Sequence, residues 1–344
     1  MTKAPEKAPH RVTLEDVARR AQTSSITVSR ALRRPEMVSE KLRARIAEAV
    51  TELGYVPDPA ASALASRRSN VIGVLIPSVT NSVFADVLAG LYDTIAGQPF
   101  NAQLGNTRYA PGIEDALIRV FLGQRPAGLI VTGVDQSPVS RALLEAADCP
   151  IVQIMDLGNA PIDMMVGFSH RDAARTATEH LIARGYSCPA FIGARMDPRS
   201  ERRLQGFRDA LAAAGITEGA RVVTTTTPSS VALGETLLAQ LLAQAPETDA
   251  ILCNNDDLAL GVQFAALRRG IAIGPELGLC GFNDLEVMAA AHPSITSVRT
   301  FRREMGKLAI EMLLARIEGR DPDAKVRDLG YALMPRDSTR RDRA

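Results

Sequence analysis

Two short stretches gather the side chains most able to do chemistry. ARMDPRSERRLQGF carries Arg195, Arg199, Arg202 and Arg203 within nine residues. A guanidinium is a planar fork of donors that matches a carboxylate or a phosphate with two parallel hydrogen bonds, so this run is suited to holding an anion. TSSITVSRAL, residues 23–32, reads as one short helix with neither Glu nor Lys, the usual surface choices. Val28, Ala31 and Leu32 can share a buried face, which turns Thr27, Ser29 and Arg30 away from it and leaves Ser25 and Ile26 at the helix start. Hydroxyls and one cation on a helix face fit a polyanion that also offers hydrogen-bonding edges and methyl groups. Neither stretch suits bond breaking. The chain has no P-loop, no HExxH, no GxSxG elbow and no GxGxxG after a strand.

Composition narrows the partners. The 344 residues, 46% apolar and 23% charged, suit a globular chain of two or three domains. Net charge is only +1, but it is unevenly spread. Residues 1–68 hold thirteen Lys and Arg against eight Asp and Glu; the remainder holds 27 against 31. A basic head on a slightly acidic body is the pattern of a nucleic-acid-binding appendage. Cys149, Cys188, Cys253 and Cys280 are scattered without CxxC spacing, which argues against a disulfide framework or a zinc site. The longest apolar run, around VIGVLIP, is strand-sized. MTKAPEKAPH lacks the apolar centre of a secretory signal, and the expectation is a cytoplasmic protein.

These residues need elements to place them. TLED opens a helix with Thr13 as cap, Asp16 in the capping-box position, and Leu14, Val17, Ala18 and Ala21 inward. QTSS breaks it, and the second helix follows. Ser39 is expected to cap a third, with Leu42, Ile46, Ala49 and Leu53 inward and Gly54 ending it. Two short helices, a tight turn and a buttress make a helix-turn-helix unit over 11–57. In VPDPAASALAS, Asp58 and Pro59 begin a helix of barely two turns, marginal without a partner. Segment 58–69 is therefore read as a short helix and linker that orders only against a partner. From residue 70 to 335 apolar strands alternate with amphipathic helices: 71–77, 100–106, 128–133 and 150–156, then 190–194, 221–227, 249–255 and 277–282. Such alternation implies α/β architecture with parallel sheets covered on both faces. Two series imply two subdomains with a cleft between them.

A short helix can lie in the major groove with its first residues at the base edges. Arg30 then suits a bidentate contact to guanine, and Ser25 and Ile26 a hydrogen-bonding edge and a thymine methyl. Thr13, Thr27 and Ser29 suit phosphates, which position a module without specifying sequence.

The run from TLEDVARRAQTSSITVSRALRRPEMVS through VPDPAASALASRRSNVIGVLIPSVTNSVFADVLAGL resembles the N-terminal half of lactose-repressor (LacI) family regulators. FSHRDAARTATEHLIARGY, FIGARMDPRSERRLQGF, NNDDLALG, GFNDLE and PSITSVR follow in that family's order. LRRPEMVS, IVQIMD, GARMDPRS, FRREMG and RDLGYALMP resemble the gluconate-operon repressor branch in particular. The resemblance implies a periplasmic-binding-protein-like body, a homodimer and a pseudo-palindromic operator DNA. It also implies that segment 58–69 is a hinge helix and linker, whose Leu64 wedges into the minor groove.

For the cleft, the resemblance assigns Arg203 to the effector, flanked by Arg195 and Arg199, while Arg202 is expected on a solvated face. Asp156 and Asn255 end strands, where α/β clefts bind ligands, and match effector-contact positions. Asn283 stands where many sugar and purine regulators carry Asp, which lowers the local negative charge. Ser229 aligns where relatives place a stacking aromatic; Tyr55, Phe84 and the four histidines are read as packing or surface residues, with Phe84, in the segment after the first strand, also placed to line the cleft. Cations without a stacking platform suit an open-chain acid, gluconate or 6-phosphogluconate, with no cofactor and no metal. The rivals are a neutral sugar or nucleoside as effector, or a sugar-binding transport or sensory protein, which would carry an export signal and no basic head.

Overall fold

The computed structural model describes residues 12–56, 69–219 and 221–341. The chain divides into two compact units, residues 1–69 and 70–344.

In the first unit, helix α1 (Leu14–Arg20) opens on a complete capping box. The Thr13 hydroxyl oxygen accepts the Asp16 N–H at 3.3 Å, and the Asp16 carboxylate accepts the Thr13 N–H at 2.9 Å. Helix α2 (Ser25–Arg33) begins two residues later than the expected stretch, because Ser24 is its cap and receives the Thr27 N–H at 3.2 Å. Helix α3 (Glu40–Leu53) ends at Gly54, whose φ of 62° is open to glycine without strain. Ser39 does stand at the N-cap of α3, but its side chain makes no capping hydrogen bond. Val17, Ala18, Ala21, Val28, Ala31, Ile46 and Ala49 form the core. Leu32 is not part of it: it is 40% exposed, since Val28 and Ala31 already fill the contact with α1 and α3. Arg45 on α3 donates to the Ala21 carbonyl at 2.5 Å and closes the end of α1. The expected hinge helix, Leu64 included, lies outside the described residues.

The second unit is built on two six-stranded sheets. The first contains β1 (Val71–Ile76), β2 (Asn101–Asn106), β3 (Gly128–Thr132), β4 (Ile151–Ile154), β5 (Met164–Gly167) and β11 (Val326–Asp328), in the order β11-β5-β4-β3-β1-β2, all parallel. The second contains β6 (Pro189–Ala194), β7 (Val222–Thr225), β8 (Ala250–Cys253), β9 (Gly278–Asn283), β10 (Thr296–Thr300) and β12 (Tyr331–Met334), in the order β12-β10-β9-β8-β6-β7. Only β12 is antiparallel. Strands β1, β3, β4, β6, β8 and β9 are buried along nearly their whole length, as sheets covered on both faces require.

Helices α4 (Val83–Ile95), α5 (Pro111–Gly123) and α6 (Pro138–Glu145) serve the first sheet. Helices α7 (His170–Ala183), α8 (Pro198–Ala213), α9 (Val231–Gln244), α10 (Asp256–Arg268) and α11 (Glu286–Ala290) serve the second. Two series of strands in sequence order would leave the subdomains contiguous, and they are not. After β10 the chain returns to the first sheet: helix α12 (Arg302–Ile317) packs on β3, β4 and β5 and against α4. Backbones touch there, because a Cβ on Gly306 would lie 1.9 Å from the Val87 carbonyl oxygen. Strand β11 then joins the first sheet and β12 the second, so the chain crosses between sheets three times. The order extends past residue 335 as well. Ser338 is buried and donates to the Leu279 carbonyl at 2.6 Å, while Arg341 donates to Gly185 and pairs with Asp249. Among the described residues no helix is long and apolar enough to cross a membrane.

Candidate functional site

In the head, α2 presents Ile26 72% exposed and Arg30 exposed beside it, with Ser25, Thr27 and Ser29 half-buried. An exposed isoleucine near Arg30, on a helix with no acid in its first turn, leaves that helix start open to a polyanion. Thr27 shares a 2.8 Å hydrogen bond with the Ser24 hydroxyl. Thr13 is more committed than a simple phosphate donor would be, since its hydroxyl donates to Asp16 at 2.7 Å within the capping box.

In the body, a cavity of about 160 Å³ opens between the carboxyl ends of the two sheets. Ser78, Asn81 and Phe84 after β1 line one side; Arg195, Arg199, Arg203, Ser229, Asn255 and Asn283 line the other. Arg203, on α8, is 8% exposed and lies 3.8 Å over the Phe282 ring. Its Nε donates to His170 Nδ1 at 3.2 Å, and its Nη1 donates to the Asn254 carbonyl. His170 is fully buried, with Nε2 2.7 Å from the Met155 carbonyl. That contact needs a proton on Nε2 and leaves the Nδ1 lone pair to receive Arg203. Burial, then the charges of Arg203 and Arg199, hold the His170 pKa well below its usual value, so the ring is neutral. Burial also pulls the Arg203 guanidinium down to about 10. Among the described residues Arg203 makes no ion pair, and neither does Arg195, whose guanidinium sits 3.9 Å from the Tyr109 ring centre. Arg199 does pair, with Asp197 at 2.9 Å. Although burial opposes it, the Arg199 charge and the Ser200 N–H hold the Asp197 carboxyl well below the usual range.

Asn255 caps α10, its Oδ1 accepting the Leu258 N–H at 3.1 Å, while its amide nitrogen donates one proton to Asn254 Oδ1 at 3.3 Å; the residue lines the cavity. Asn283 is 3% exposed, has φ 116°, and its buried Oδ1 has no hydrogen-bond partner. The turn after it is held by buried Asp256, which accepts the Leu285 N–H at 2.8 Å and the Ser297 hydroxyl at 2.7 Å.

Three expectations need correction. Asp156 does not line the cavity: it is 1% exposed, and Arg202 donates to its carboxylate at 2.7 Å. Arg202 is accordingly not on a solvated face, since it also grips Asp135 with two hydrogen bonds of 2.6 and 2.8 Å, tying α8 to the loops after β3 and β4. The cavity is also not free of aromatics, because Phe84 and Tyr109 line it. Tyr109 follows β2 at a strand carboxyl end, the signal that would have marked it; its stacking face is occupied by Arg195. His170 was passed over because its partners, 15 and 33 residues away, come together only in the fold. No group of three or more His, Cys, Asp or Glu able to hold a metal ion occurs among the described residues.

Residues 13–58 match the model of the bacterial regulatory proteins of the lacI family, and residues 178–339 match a periplasmic binding protein-like domain. The chain is 42% identical to the HTH-type transcriptional regulator GntR of Pseudomonas aeruginosa over 96% of both chains. It superposes on a LacI-family transcriptional regulator from Silicibacter pomeroyi with TM-score 0.90 and 35% identity, covering 96% of this chain and 100% of that one. The lac repressor dimer bound to operator is similar with TM-score 0.83 and 25% identity, over 96% of this chain and 100% of that chain.

Proposed function

The chain belongs to the LacI family of bacterial transcriptional regulators, and from that premise we propose that it represses genes of sugar-acid catabolism under the control of an open-chain sugar acid, gluconate or its 6-phosphate. The carrying observation is Arg203: a buried cation on the wall of a cavity with no carboxylate paired to it. Desolvating a guanidinium without a counter-ion is unfavourable, and an incoming carboxylate removes that penalty. Arg195 adds a second unpaired cation and Arg199 a third guanidinium at the same wall. Asn283 Oδ1 accepts a ligand hydroxyl, and the Asn255 amide donates to another. Asp156 acts at one remove, through Arg202. The GntR relative supports the gluconate branch that the sequence motifs resemble.

On the DNA side, Arg30, Ser25 and Ile26 read base edges of the operator while Thr27, Ser29 and Thr13 meet phosphates. Leu64 as a minor-groove wedge rests on the family resemblance alone. A homodimer on a pseudo-palindromic operator follows from the same likeness, the lac repressor neighbour being a dimer on its operator. The effector needs only unequal affinities for the DNA-competent and incompetent states to act.

One rival has an observation in its favour. Tyr109 and Phe84 in the cavity wall suit a ring-shaped neutral effector. Calorimetric titration of the full-length protein with gluconate, 6-phosphogluconate, ribose and purines separates the two. Heat from the acids supports the arginine assignment; heat from a neutral compound alone overturns it.

A further inference from the structure

A second cavity adjoins the first and shares Tyr109, Asp197 and Arg199 with it as a partition. It lies at the carboxyl ends of β1, β2 and β3, with Leu75, Pro77 and Pro111 giving it apolar walls. Most of its polar side chains already have partners. Arg199 pairs with Asp197, and Asp135 with Arg202. Gln136 donates to the Gly133 carbonyl at 3.0 Å and accepts from Gln153 at 2.8 Å. Glu114, on the first turn of α5, does not fit that pattern: its Oε1 is buried and has no hydrogen-bond partner. Burial, then the neighbouring Asp115, push its carboxyl up to about 7 against the pull of Arg199. The cleft is therefore asymmetric. The first compartment adds Arg195 and Arg203, which make no ion pair among the described residues, and Asp257 to the shared Arg199–Asp197 pair; the second adds the Glu114 carboxyl, whose Oε1 has no partner among the described residues, between apolar walls.

We propose that the second compartment receives the uncharged polyol end of the effector, and that Glu114 takes a terminal hydroxyl and excludes a phosphate ester there, so that the free sugar acid is bound in preference to its 6-phosphate. This rests on the sugar-acid reading above and narrows it. A linear acid has the matching asymmetry: an anionic head for Arg195 and Arg203, and a tail whose C–H faces lie on proline and tyrosine while its hydroxyls seek an acceptor. Above about pH 7, where Glu114 is ionised, a terminal phosphate would bring further negative charge against Glu114 in a compartment whose one guanidinium among the described residues, Arg199, is already paired with Asp197, a repulsive element of the kind that sets specificity.

The test is calorimetric titration at about pH 8.5, where Glu114 is ionised, of the full-length protein and of Glu114→Gln with gluconate and with 6-phosphogluconate. The wild type is expected to prefer gluconate by about tenfold or more, the effect of a pK unit of like-charge interaction. Glu114→Gln, which keeps the shape and removes the charge, should bring the two affinities close to parity, mainly by tighter binding of the phosphate ester. Equal wild-type affinities, or a preference that survives Glu114→Gln unchanged, overturn the compartment assignment and leave the sugar-acid reading standing. Heat from neither acid, with heat from ribose or a purine, overturns both.

Discussion

Helices α2 and α8 both carry arginines on a working face, yet they hold them on opposite sides of solvation. Arg30 stands exposed on α2 beside the exposed Ile26. Arg203 lies buried on α8, over the Phe282 ring and hydrogen-bonded to His170 and the Asn254 carbonyl. A hydrated cation gains from a polyanion through long-range attraction and counter-ion release, so its contribution fades as salt rises. A cation already stripped of water gains at short range, from one anion in one orientation, with little screening. On the proposed reading, the exposed cation serves any duplex, whereas the buried one serves a single small acid in one orientation.

The strongest way to break this contrast is at Arg203. Arg203→Ala should weaken effector binding by about 100-fold or more, as losing one partner of a desolvated, hydrogen-bonded charge pair does. Operator affinity without effector should stay within about twofold, since additive behaviour is expected of distant sites. Titration and gel retardation of the same preparation check both halves. Normal effector heat with lost operator binding would reverse the assignment.

Arg30 sharpens the other side. Arg30→Ala should cost about 1–3 kcal/mol of operator affinity, with effector affinity untouched. Salt and sequence dependence then separate two roles. If Arg30 forks onto a guanine, specificity relaxes at one base pair. If it meets only phosphate, affinity falls evenly over all sequences and the salt slope drops by about one. An unchanged affinity would remove α2 from the interface.

The same contrast governs what could be read from the sequence. Strands β1, β3, β4, β6, β8 and β9 stand out because burial on both faces writes a continuous apolar run. Strands β5, β11 and β12 span only four, three and four residues, and β10 carries one apolar residue, Val298, among four polar ones, so no period separates them from loops. The three crossings between sheets depend on which half of the molecule a strand joins, and composition carries no trace of that. Thr13 and Gly54 were legible because a cap is a local device. Ser39 shows the limit: the residue type is right and the hydrogen bond is absent. In the cleft, Asn255 is marked by its place at the end of β8, whereas Arg203, inside α8, and Asn283 are picked out by the family resemblance. Arg202 does not, because Asp135 lies 67 residues away and only the fold brings it near. Exposed function was visible one helix at a time, whereas buried function needed partners from distant segments.

The smallest expected effect probes burial itself, through Asp156. Its carboxyl is pushed up to about 6 by burial, more than Arg202 and the Leu157 N–H can offset, and burial lifts Asp256 to about 6 as well. A carboxyl whose folded pKa lies above its unfolded value contributes stability that is present in full below the unfolded value and is lost as pH rises through the folded one. The body should therefore lose stability between about pH 4 and pH 6 from these two groups, the reverse of an ordinary paired aspartate. Asp197 works the usual way, but its window lies lower, since its carboxyl sits well below the usual range. Calorimetric unfolding of the wild type and of Asp156→Asn at constant ionic strength isolates this carboxyl from His170, whose lowered pKa acts in the opposite sense over the same interval, and from Glu114, which adds to the fall. Asp156→Asn, which keeps the shape and removes the titration, should gain stability relative to the wild type as pH rises from about 4 to about 6. A difference between the two proteins that stays constant or shrinks over that interval would mean that Arg202 outweighs burial at Asp156.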